Sequence, residues 1–592
     1  MQFLKNVLST VVGIFMFIMI FFFLIIIVGV IAGSSSEDVV EVKDNSVIEL
    51  DLSKVSLDYG GKFEGGEFAI FNDTPNNGLE DVLKAIDAAK EDDRIKGITI
   101  TNSTNALGMA QLKSLRNKLD NFKKSGKFIV SYADTYTQGD YYLNSVSDTL
   151  YLNPVGDFEF KGLSSEIMFF KDFQEKTGIT MEVIRHGKYK SAVEPFIANE
   201  MSPENREQMS TLLNAMWTSV VDDISKSRKI SADSLNGIAE RLSARTAEMA
   251  KSRGLIDKIG YEDEYRNGIK KALKVEKDED YNEIDILDYV QQNKINEMIS
   301  TAESQIAIIY AQGEISGGKG GVNQVSEEPI REAFKEALEN DDVKAIVLRV
   351  DSPGGSALTS ELIWREVELA KKKKPVVVSM GNYAASGGYY ISCAADRIFA
   401  QPNTITGSIG VFGVLPNLTK LSNDMGIHAQ TVSTHNNHAE YSLFQPLEAD
   451  TREVIQQSVE QVYGVFVSRV AKGRKMSTEA VDAIGQGRVW SGVDAKRIGL
   501  VDELGGLEDA VKYAAKLAKV TDYSTIDYPE YEADFNTFLS KLGNSSASVF
   551  TNRETFIKEE VGEENYQIIE RLRRVSKTRG VQAMMPFEIN VR

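Results

Sequence analysis

The chain has 592 residues, of which 42% are hydrophobic, and this length is enough for roughly three or four packed domains. Its formal net charge of −19 excludes a protein that binds nucleic acid through a basic surface, because no surplus of Lys and Arg exists to meet the phosphates. The single cysteine, Cys393, excludes an intrachain disulfide framework and a metal site built from several cysteines.

The N-terminal segment is long, apolar and uncharged from Val7 to Ser36. As a helix it would extend about 45 Å, which is more than the roughly 30 Å hydrocarbon core of a bilayer requires. A cleavable signal peptide has a shorter apolar region, of about 7–15 residues. We therefore predict that residues 1–36 form a short tail and an uncleaved membrane anchor. Because Lys5 precedes the apolar segment, the positive-inside tendency places the N-terminus in the cytoplasm and the body outside.

The rest of the chain repeats itself. The segment DRIKGITI at 93–100 matches DDVKAIVL at 341–348, and at the same shift QGDYYLNSVSD at 138–148 falls on SGGYYISCAAD at 386–396. The register drifts by only a few residues toward the end of the repeat. This period is far longer than that of a solenoid, so we infer two homologous domains.

We place the first domain at 37–295 and the second at 296–520, followed by a C-terminal extension at 521–592. The acidic stretch VEKDEDYNEID is expected to lie in the connection between the two domains. The extension is strongly charged from about Thr521 onward.

Each half has the pattern of an α/β domain. Short runs rich in β-branched residues, such as KGITIT, KFIVSYA, KAIVLRV and PVVVSMG, are typical of buried parallel strands, and they alternate with amphipathic helices. One predicted helix begins at Pro203 with Ser202 as its N-cap. Its counterpart in the second half carries an apolar face from Val454 to Val470. The predicted fold class is therefore α/β, with two tandem copies of one domain.

The two halves differ at the ends of two strands. In the second half the strand AIVLRV leads into DSPGGS at 351–356, whereas the equivalent strand of the first half leads into STNALG. Ser386 of the second half is replaced by Gln138 in the first. Because both halves keep the scaffold, residues found in only one half are candidates for function.

These differences fit a serine nucleophile. A serine that attacks a carbonyl needs N–H donors where the negative charge develops. Gly354 and Gly355 have no Cβ and let the backbone approach a substrate closely. A helix that begins at Gly387, directly after Ser386, would direct further amides to the same place. Tyr389 and Tyr390 have counterparts in the first half and are expected to pack rather than react.

A serine nucleophile also needs a base. Among the four histidines, His435 and His438 in HNNH are candidates for a base, a metal site or an ordinary polar loop. No cluster with recognisable metal spacing surrounds them, so we predict no metal. HNNHAEYS falls on HGKYKSAVEPF in the first half, which offers Lys188 and Lys190. A lysine base must be largely neutral near pH 7, which requires desolvation to lower its pKa by about three units.

The motifs YKSAVEPF, DSPGG, YAASGGYYIS and TGSIGVFG resemble those of the signal peptide peptidase A family, also called protease IV, in its long duplicated form. The resemblance covers nearly the whole chain, from the N-terminal anchor to the closing GVQAMMPFEINV. It implies a serine–lysine dyad endopeptidase with tandem crotonase-like and Clp-protease-like domains and no cofactor.

The resemblance also implies the role of each residue. Ser386 matches the nucleophile, and Lys190, immediately before SAVEPF, matches the general base in place of Lys188. Ser408 in TGSIG matches a serine that orients the lysine. The oxyanion amides match the Gly354–Gly355 loop and Gly387.

The resemblance further implies partners and a location. Family members are membrane-tethered homotetramers with a bowl-like apolar interior, and their substrates are remnant signal peptides released during protein export. We therefore expect a single-pass protein of the bacterial inner membrane, with a cytoplasmic N-terminus and a periplasmic body.

Two other classes of function are considered beside the peptidase. A crotonase-like acyl-thioester enzyme is compatible with the fold, which by itself does not determine function. The pairing of Ser386 with a lysine of the other half, and the anchor, argue against it. A non-catalytic membrane scaffold is disfavoured because Ser386 and Lys190 are both retained. We predict one catalytic site per chain, built across the interface between the halves.

Overall fold

The computed structural model describes residues 5–6, 9–10, 12–17, 19–20, 41–64, 78–102, 105–297, 302–435, 441–532 and 582–585. The predicted anchor lies mostly outside these residues. Within the described part of the chain, no helix is both long and apolar enough to span a bilayer.

The first half contains a six-stranded sheet in which every neighbouring pair is parallel. In spatial order its strands are Lys258–Ile259, Thr149–Leu152, Phe128–Ala133, Ile95–Thr101, Ser46–Glu49 and Asn282–Asp285. The last strand lies in the acidic stretch that was expected to connect the domains. It joins the sheet because it pairs with Ser46–Glu49 and buries Ile284 in the core of the first half.

The second half contains the corresponding larger sheet of eight strands. Six of its strands are, in spatial order, Val489–Ser491, Ile405–Gly407, Val376–Ala385, Val343–Ser352, Gln305–Gln312 and Ser524–Tyr528. The strand Arg397–Ala400 also pairs with Val376–Ala385, and Glu503–Leu504 pairs with Arg397–Ala400. Ser524–Tyr528 was assigned to the C-terminal extension. In the structure it is a parallel neighbour of Gln305–Gln312, and Tyr528 is buried against the core of the second half.

A third sheet combines segments from both halves and from the C-terminus. Its six strands, in spatial order, are Gln324–Val325, Glu314–Ile315, Gly354–Ser356, Gln582–Met584, Val411–Asn417 and Thr180–His186. Only Thr180–His186 comes from the first half, and it pairs antiparallel with Val411–Asn417 over seven residues. This sheet carries the loops that form the candidate site.

Helices cover the parallel sheets, as expected for an α/β protein. Those of the first half are Leu79–Glu91, Met109–Lys123, Gln138–Asn144, Lys171–Thr177, Glu194–Ile197, Pro203–Arg228, Ala232–Glu240, Ala247–Ser252, Glu262–Leu273 and Ile286–Glu297. Those of the second half are Glu327–Glu339, Ala357–Ala370, Gly387–Ser392, Thr419–Asp424, Ala449–Arg474, Thr478–Ile484, Gly492–Arg497 and Leu507–Ala518. A short 3₁₀ turn spans Ser191–Val193, and Lys62–Glu64 pairs with Glu530–Glu532.

The two longest helices confirm the duplication. Pro203–Arg228 begins where predicted, and the Ser202 side chain accepts a hydrogen bond from the Asn205 amide. The helix Ala449–Arg474 has the same length of 26 residues. Val454, predicted on its buried face, is 48% exposed, whereas Thr451 is buried and the adjacent Ile455 packs against the core of the second half, so the buried face of this turn excludes Val454.

The two halves are joined by buried polar contacts as well as apolar ones. Arg349, on the strand that leads into DSPGG, donates from Nε to Asp58 Oδ2 of the first half over 2.7 Å, and both side chains are at most 2% exposed. Gln401 of the second half donates to Ser114 of the first over 2.9 Å. Because a buried charge is tolerated only when it is paired, these contacts fix how the halves meet.

Candidate active site

Ser386 lies at a sharp turn between a strand and a helix. The strand Val376–Ala385 ends directly before it and the helix Gly387–Ser392 begins directly after it, as the sequence predicted. The backbone of Ser386 has φ of 55° and ψ of −112°, a conformation that residues with a side chain rarely adopt. Its N–H donates to Gly407 O over 2.8 Å, which holds the turn. Backbone strain of this kind is concentrated at functional sites.

The glycine pair of DSPGG forms a short strand beside this turn rather than an open loop. Gly354 and Gly355 have φ of 100° and 154°, and a Cβ at Gly355 would lie only 1.9 Å from Ile315 O. Only glycine therefore fits at this position. The Gly354 N–H donates to Ser352 Oγ over 3.2 Å, so this amide has a partner within the loop.

Lys190 reaches Ser386 from the other half of the chain. It follows the strand Thr180–His186, which the third sheet places next to the second-half strand Val411–Asn417. Its Nζ lies 2.9 Å from Ser386 Oγ, 3.1 Å from Ser408 Oγ and 3.2 Å from Ser408 O. A neutral amine has two N–H groups and one lone pair, so it can donate twice to Ser408 and accept from the Ser386 hydroxyl.

The surroundings of Lys190 favour the neutral amine. The side chain is 0% exposed, and burial lowers the pKa of Lys190 well below its ordinary value of 10.5. The Phe412 ring lies 5.8 Å from Nζ, and Gly410 and Gly487 pack against the stem of the lysine. Lys188, the other candidate, is exposed. The structure therefore brings Lys190, and not Lys188, to the serine.

Ser408 is held in one orientation beside the lysine. Its backbone has φ of 50°, and its N–H donates to Arg488 O over 2.7 Å. Its hydroxyl lies 3.3 Å from Gly487 O, to which it donates, so its lone pairs face Lys190. This arrangement suits a residue that positions the amine.

The first half lacks the equivalent site. One shift of 248 residues relates Gln138 to Ser386 and Gly162 to Gly410. Gln138 Oε1 accepts from the amides of Lys161 and Gly162 at 2.9 Å, and its Nε2 donates to Gly162 O over 2.8 Å. Ser386 keeps the same neighbour, with its Oγ 3.4 Å from Gly410 O. The first half therefore has a carboxamide bound to the backbone where the second half has a hydroxyl.

The tyrosine pairs pack, as predicted from their presence in both halves. Tyr389 donates from its hydroxyl to Leu500 O over 2.9 Å, and Tyr141 of the first half donates to Leu255 O over 3.1 Å. Both rings are buried. The two contacts are equivalent across the repeat and lie in the cores of the two halves.

None of the histidines that the structure describes lies beside Ser386. His435 lies on an exposed loop, and His438 is outside the described residues. His186 stacks on Tyr463 and contacts Glu460, with Nδ1 2.6 Å from Oε2. In the described ranges, no group of three or more His, Cys, Asp and Glu side chains is arranged to hold a metal.

Two parts of the site were missed from the sequence. Gly487, almost 300 residues from Lys190 along the chain, packs on its backbone and Cβ. The strand Gln582–Met584 lies between Gly354–Ser356 and Val411–Asn417. The only signal for this strand was the closing motif GVQAMMPFEINV, to which the sequence assigned no role.

Comparison with known proteins finds the same peptidase family in both halves of the chain. Residues 121–276 and 368–521 match peptidase family S49, one match in each half. The chain is 37% identical to Protease 4 of Haemophilus influenzae over 446 residues, covering 74% of this chain and 72% of that protein. It is 35% identical to the chloroplastic serine protease SPPA of Arabidopsis thaliana over 475 residues, covering 78% and 69%. It is also 40% identical to the putative signal peptide peptidase SppA of Enterococcus faecium over 219 residues, covering 36% and 62%.

The duplicated match and the extent of these similarities establish the class of the protein. Its fold is α/β with two copies of the peptidase domain, and it is a serine peptidase. The chain belongs to peptidase family S49 and is of the protease IV, or signal peptide peptidase A, type.

Proposed function

We propose that this chain is a membrane-anchored endopeptidase that uses Ser386 and Lys190 as a catalytic dyad to degrade signal peptides released during protein export. The contact of 2.9 Å between a buried lysine amine and a serine hydroxyl carries the proposal. A buried, uncompensated lysine is costly to a fold, and a role as a base accounts for its retention.

The geometry supports acyl transfer in two steps. Ser386 Oγ attacks the peptide carbonyl while the lone pair of Lys190 accepts the hydroxyl proton. Lys190 then gives this proton to the departing amine, and the acyl-enzyme forms. In the second step Lys190 takes a proton from water as the water attacks the ester, and it returns this proton to Ser386 Oγ as the ester bond breaks and the other fragment leaves. Ser408 holds the amine in place through both steps.

We assign the stabilisation of the negative charge on the carbonyl oxygen to backbone N–H groups. Gly387 is the first residue of the helix after the nucleophile, where N–H groups lack partners within the helix. Gly355 lies on the neighbouring strand. The Gly354 N–H already donates to Ser352, so we infer that Gly354 serves to shape the backbone. We assign the stabilisation of the negative charge to the N–H groups of Gly355 and Gly387.

The strand position beside the dyad, which Gln582–Met584 occupies in this structure, suits an extended apolar peptide. A peptide that lies between Gly354–Ser356 and Val411–Asn417 would be bound through its main chain. The affinity for the peptide would then depend little on its sequence. Val193, Phe412 and Val414 form a buried apolar cluster against which Met584 of this strand packs. Signal peptides are apolar, which makes them suitable ligands for such a surface.

The remaining parts of the proposal concern location and assembly. We propose that residues 1–36 anchor the chain in the bacterial inner membrane, with the body on the periplasmic side. A homotetramer and a Clp-protease-like and crotonase-like relationship of the two domains also belong to the proposal. The apolar N-terminal segment and the similarity to a putative signal peptide peptidase support it.

Digestion of a synthetic signal peptide by the detergent-solubilised full chain tests this function, with the cuts located by mass spectrometry. We expect internal cleavage by the parent and no cleavage by Ser386→Ala. An acyl-coenzyme A thioester serves as the competing substrate. Hydrolysis of the thioester without cleavage of the peptide would contradict the proposal.

A further inference from the structure

We propose that Gln208, on a helix of the first half, is a positioning residue that holds Lys190 in line with Ser386. This inference rests on the proposed function, because it concerns how the base of the same dyad is held. Gln208 acts through the residues that flank the lysine and through the second-half segment beside them, and not on the reacting atoms.

The amide nitrogen of Gln208 faces the segment that carries the base. Its Nε2 lies 3.1 Å from Tyr189 O and 2.8 Å from Ser191 Oγ, so it contacts the residues directly before and after Lys190. The same nitrogen lies 3.1 Å from Asn205 Oδ1 of its own helix. Gln208 is 1% exposed, and hydrogen bonds in such a buried place are stronger than those in water.

The amide oxygen of Gln208 faces the other half of the chain. Its Oε1 accepts from the Val489 N–H over 3.3 Å. The preceding residue, Arg488, accepts through its backbone oxygen from the Ser408 N–H over 2.7 Å. One side chain therefore ties the segment that carries the base to the segment that holds Ser408, the partner of that base.

A carboxamide is the group that suits this place. The nitrogen meets three oxygens and the oxygen meets an N–H, so the orientation of the Gln208 amide satisfies both of its ends. Glutamate offers no donor here when ionised, and methionine has no N–H group.

The duplication provides an internal comparison. The helices Pro203–Arg228 and Ala449–Arg474 both have 26 residues, and Gln208 and Val454 are the sixth residue of each. Val454 is 48% exposed, whereas Gln208 is buried. Because the second half forms the same helix without a buried glutamine, the helix itself does not require one. The glutamine is found in the half that supplies the base.

Glu207 bridges the same two segments at the surface. Its Oε2 accepts from the Tyr189 hydroxyl and its Oε1 accepts from Arg488 Nη2, both over 2.8 Å. The Glu207 side chain is 50% exposed, and polar bridges in contact with water contribute little. We therefore assign the alignment of the base to the buried Gln208.

The variant Gln208→Met tests this inference, because it keeps the length of the side chain and removes its N–H groups. A catalytic group displaced by about 1 Å loses about a hundredfold in rate, and the other contacts of the loop limit the displacement, so we expect kcat for a fluorogenic peptide to fall on the order of tenfold. KM should not change. The rise of kcat/KM with pH should move to higher pH, because a loosened Lys190 is better hydrated and its pKa returns toward 10.5.

Asp223→Asn is the matched control. Asp223 lies on the same helix, is 8% exposed and accepts hydrogen bonds from Lys113 and Tyr142. It is fifteen residues from Gln208, which is on the order of 20 Å along the helix. This variant should have a lower Tm than the parent but the same kcat and the same pH profile.

Ser191→Ala is a second, smaller change, since it removes the shortest contact of Gln208 Nε2. It should lower kcat less than Gln208→Met does and move the pH profile in the same direction. Added to Gln208→Met, it should cause no further loss, because the contact is already absent and the two changes share one effect.

Two results would overturn the inference. A lower Tm with the kcat and pH profile of the parent in Gln208→Met and Ser191→Ala would show that Gln208 only stabilises the fold. A raised KM with kcat preserved would place Gln208 in substrate binding. The rate at which a fluorophosphonate labels Ser386 separates this inference from the proposed function. Slower labelling of Gln208→Met than of a parent that labels but cleaves no signal peptide would sustain the inference and contradict the function.

Discussion

Lys190 and Ser386 belong to different halves of a duplicated chain, and the Nζ atom of the lysine lies 2.9 Å from the Oγ atom of the serine. Both side chains are buried, and no opposite charge is among the groups that shift the pKa of the lysine. In the proposed dyad the halves therefore depend on each other for the reaction, since one supplies the base and the other the nucleophile. The equivalent position in the first half is occupied by Gln138, whose carboxamide is already hydrogen bonded.

Peptide cleavage should become faster as pH rises. Lys190 is active only when neutral, and burial lowers its pKa well below 10.5. The protonated, inactive form therefore predominates below this lowered pKa, and the rate levels off above it. The measurement is kcat/KM for a fluorogenic peptide across pH, with Lys188→Ala as a control that should give the same curve. A rate that falls through the neutral range as pH rises would contradict a neutral amine.

Replacement of Lys190 by Met should change how stability depends on pH. In the parent, the unfolded lysine is protonated up to about 10.5 while the folded lysine is neutral above its lowered pKa. Between these two values the unfolded state binds one more proton, so the parent gains about 1.4 kcal/mol of unfolding free energy per pH unit relative to Lys190→Met. Denaturant titrations of both proteins across this window measure the difference. Parallel curves would show that the folded lysine is not neutral there.

Removal of the Ser408 hydroxyl should slow catalysis without weakening substrate binding. Ser408→Ala removes one of two Ser408 oxygens that face the lysine amine and leaves an N–H without this partner. We expect kcat to fall about tenfold with KM nearly constant, since one buried hydrogen bond is worth roughly 1–2 kcal/mol. A variant whose KM rises while kcat is preserved would place Ser408 in substrate binding instead.

Gly487 should be essential for the position of Lys190. Its φ is 80°, and a Cβ there would lie 2.6 Å from the Cβ of the lysine, so Gly487→Ala must displace the base. A displacement on the order of 1 Å at a catalytic group costs about a hundredfold in rate. Gly499→Ala is the matched control, because Gly499 has φ of 85° with open space around the added atom. It should lose stability but retain activity, and equal losses of activity in the two variants would contradict this role.

Local patterns in the sequence were sufficient to predict much of the fold. Ser202 and Pro203 mark the start of a helix through capping and a preset backbone angle, and the helix after Ser386 begins where its glycine pair indicated. The β-branched runs became the central parallel strands of both sheets. These features depend on neighbours within a few residues, and such information is present in the sequence itself.

The strands that were missed are short, polar and paired with distant segments. NEID at 282–285 and STIDY at 524–528 have no clear alternation, and each is an edge strand whose pairing depends on a partner more than 200 residues away. The site shows the same contrast. The sequence motifs around Ser386 and Lys190 were recognisable, but the packing of Gly487 on Lys190 and the pairing of Ala583 with Gly355 arise only after both halves have folded.

The central claim is tested most directly by the rate at which the Lys190→Ala variant cleaves a signal peptide. The Lys188→Ala variant is the control, and the two proteins should have the same Tm so that only the site differs. The claim is that each chain has one site, which the halves share and in which Lys190 is the base. We expect Lys190→Ala to lose activity by a factor on the order of 10⁴ or more, because Lys190 is the base that contacts Ser386 among the described residues, and Lys188→Ala to retain the parent rate. Turnover near the parent rate by a folded Lys190→Ala protein would contradict the account.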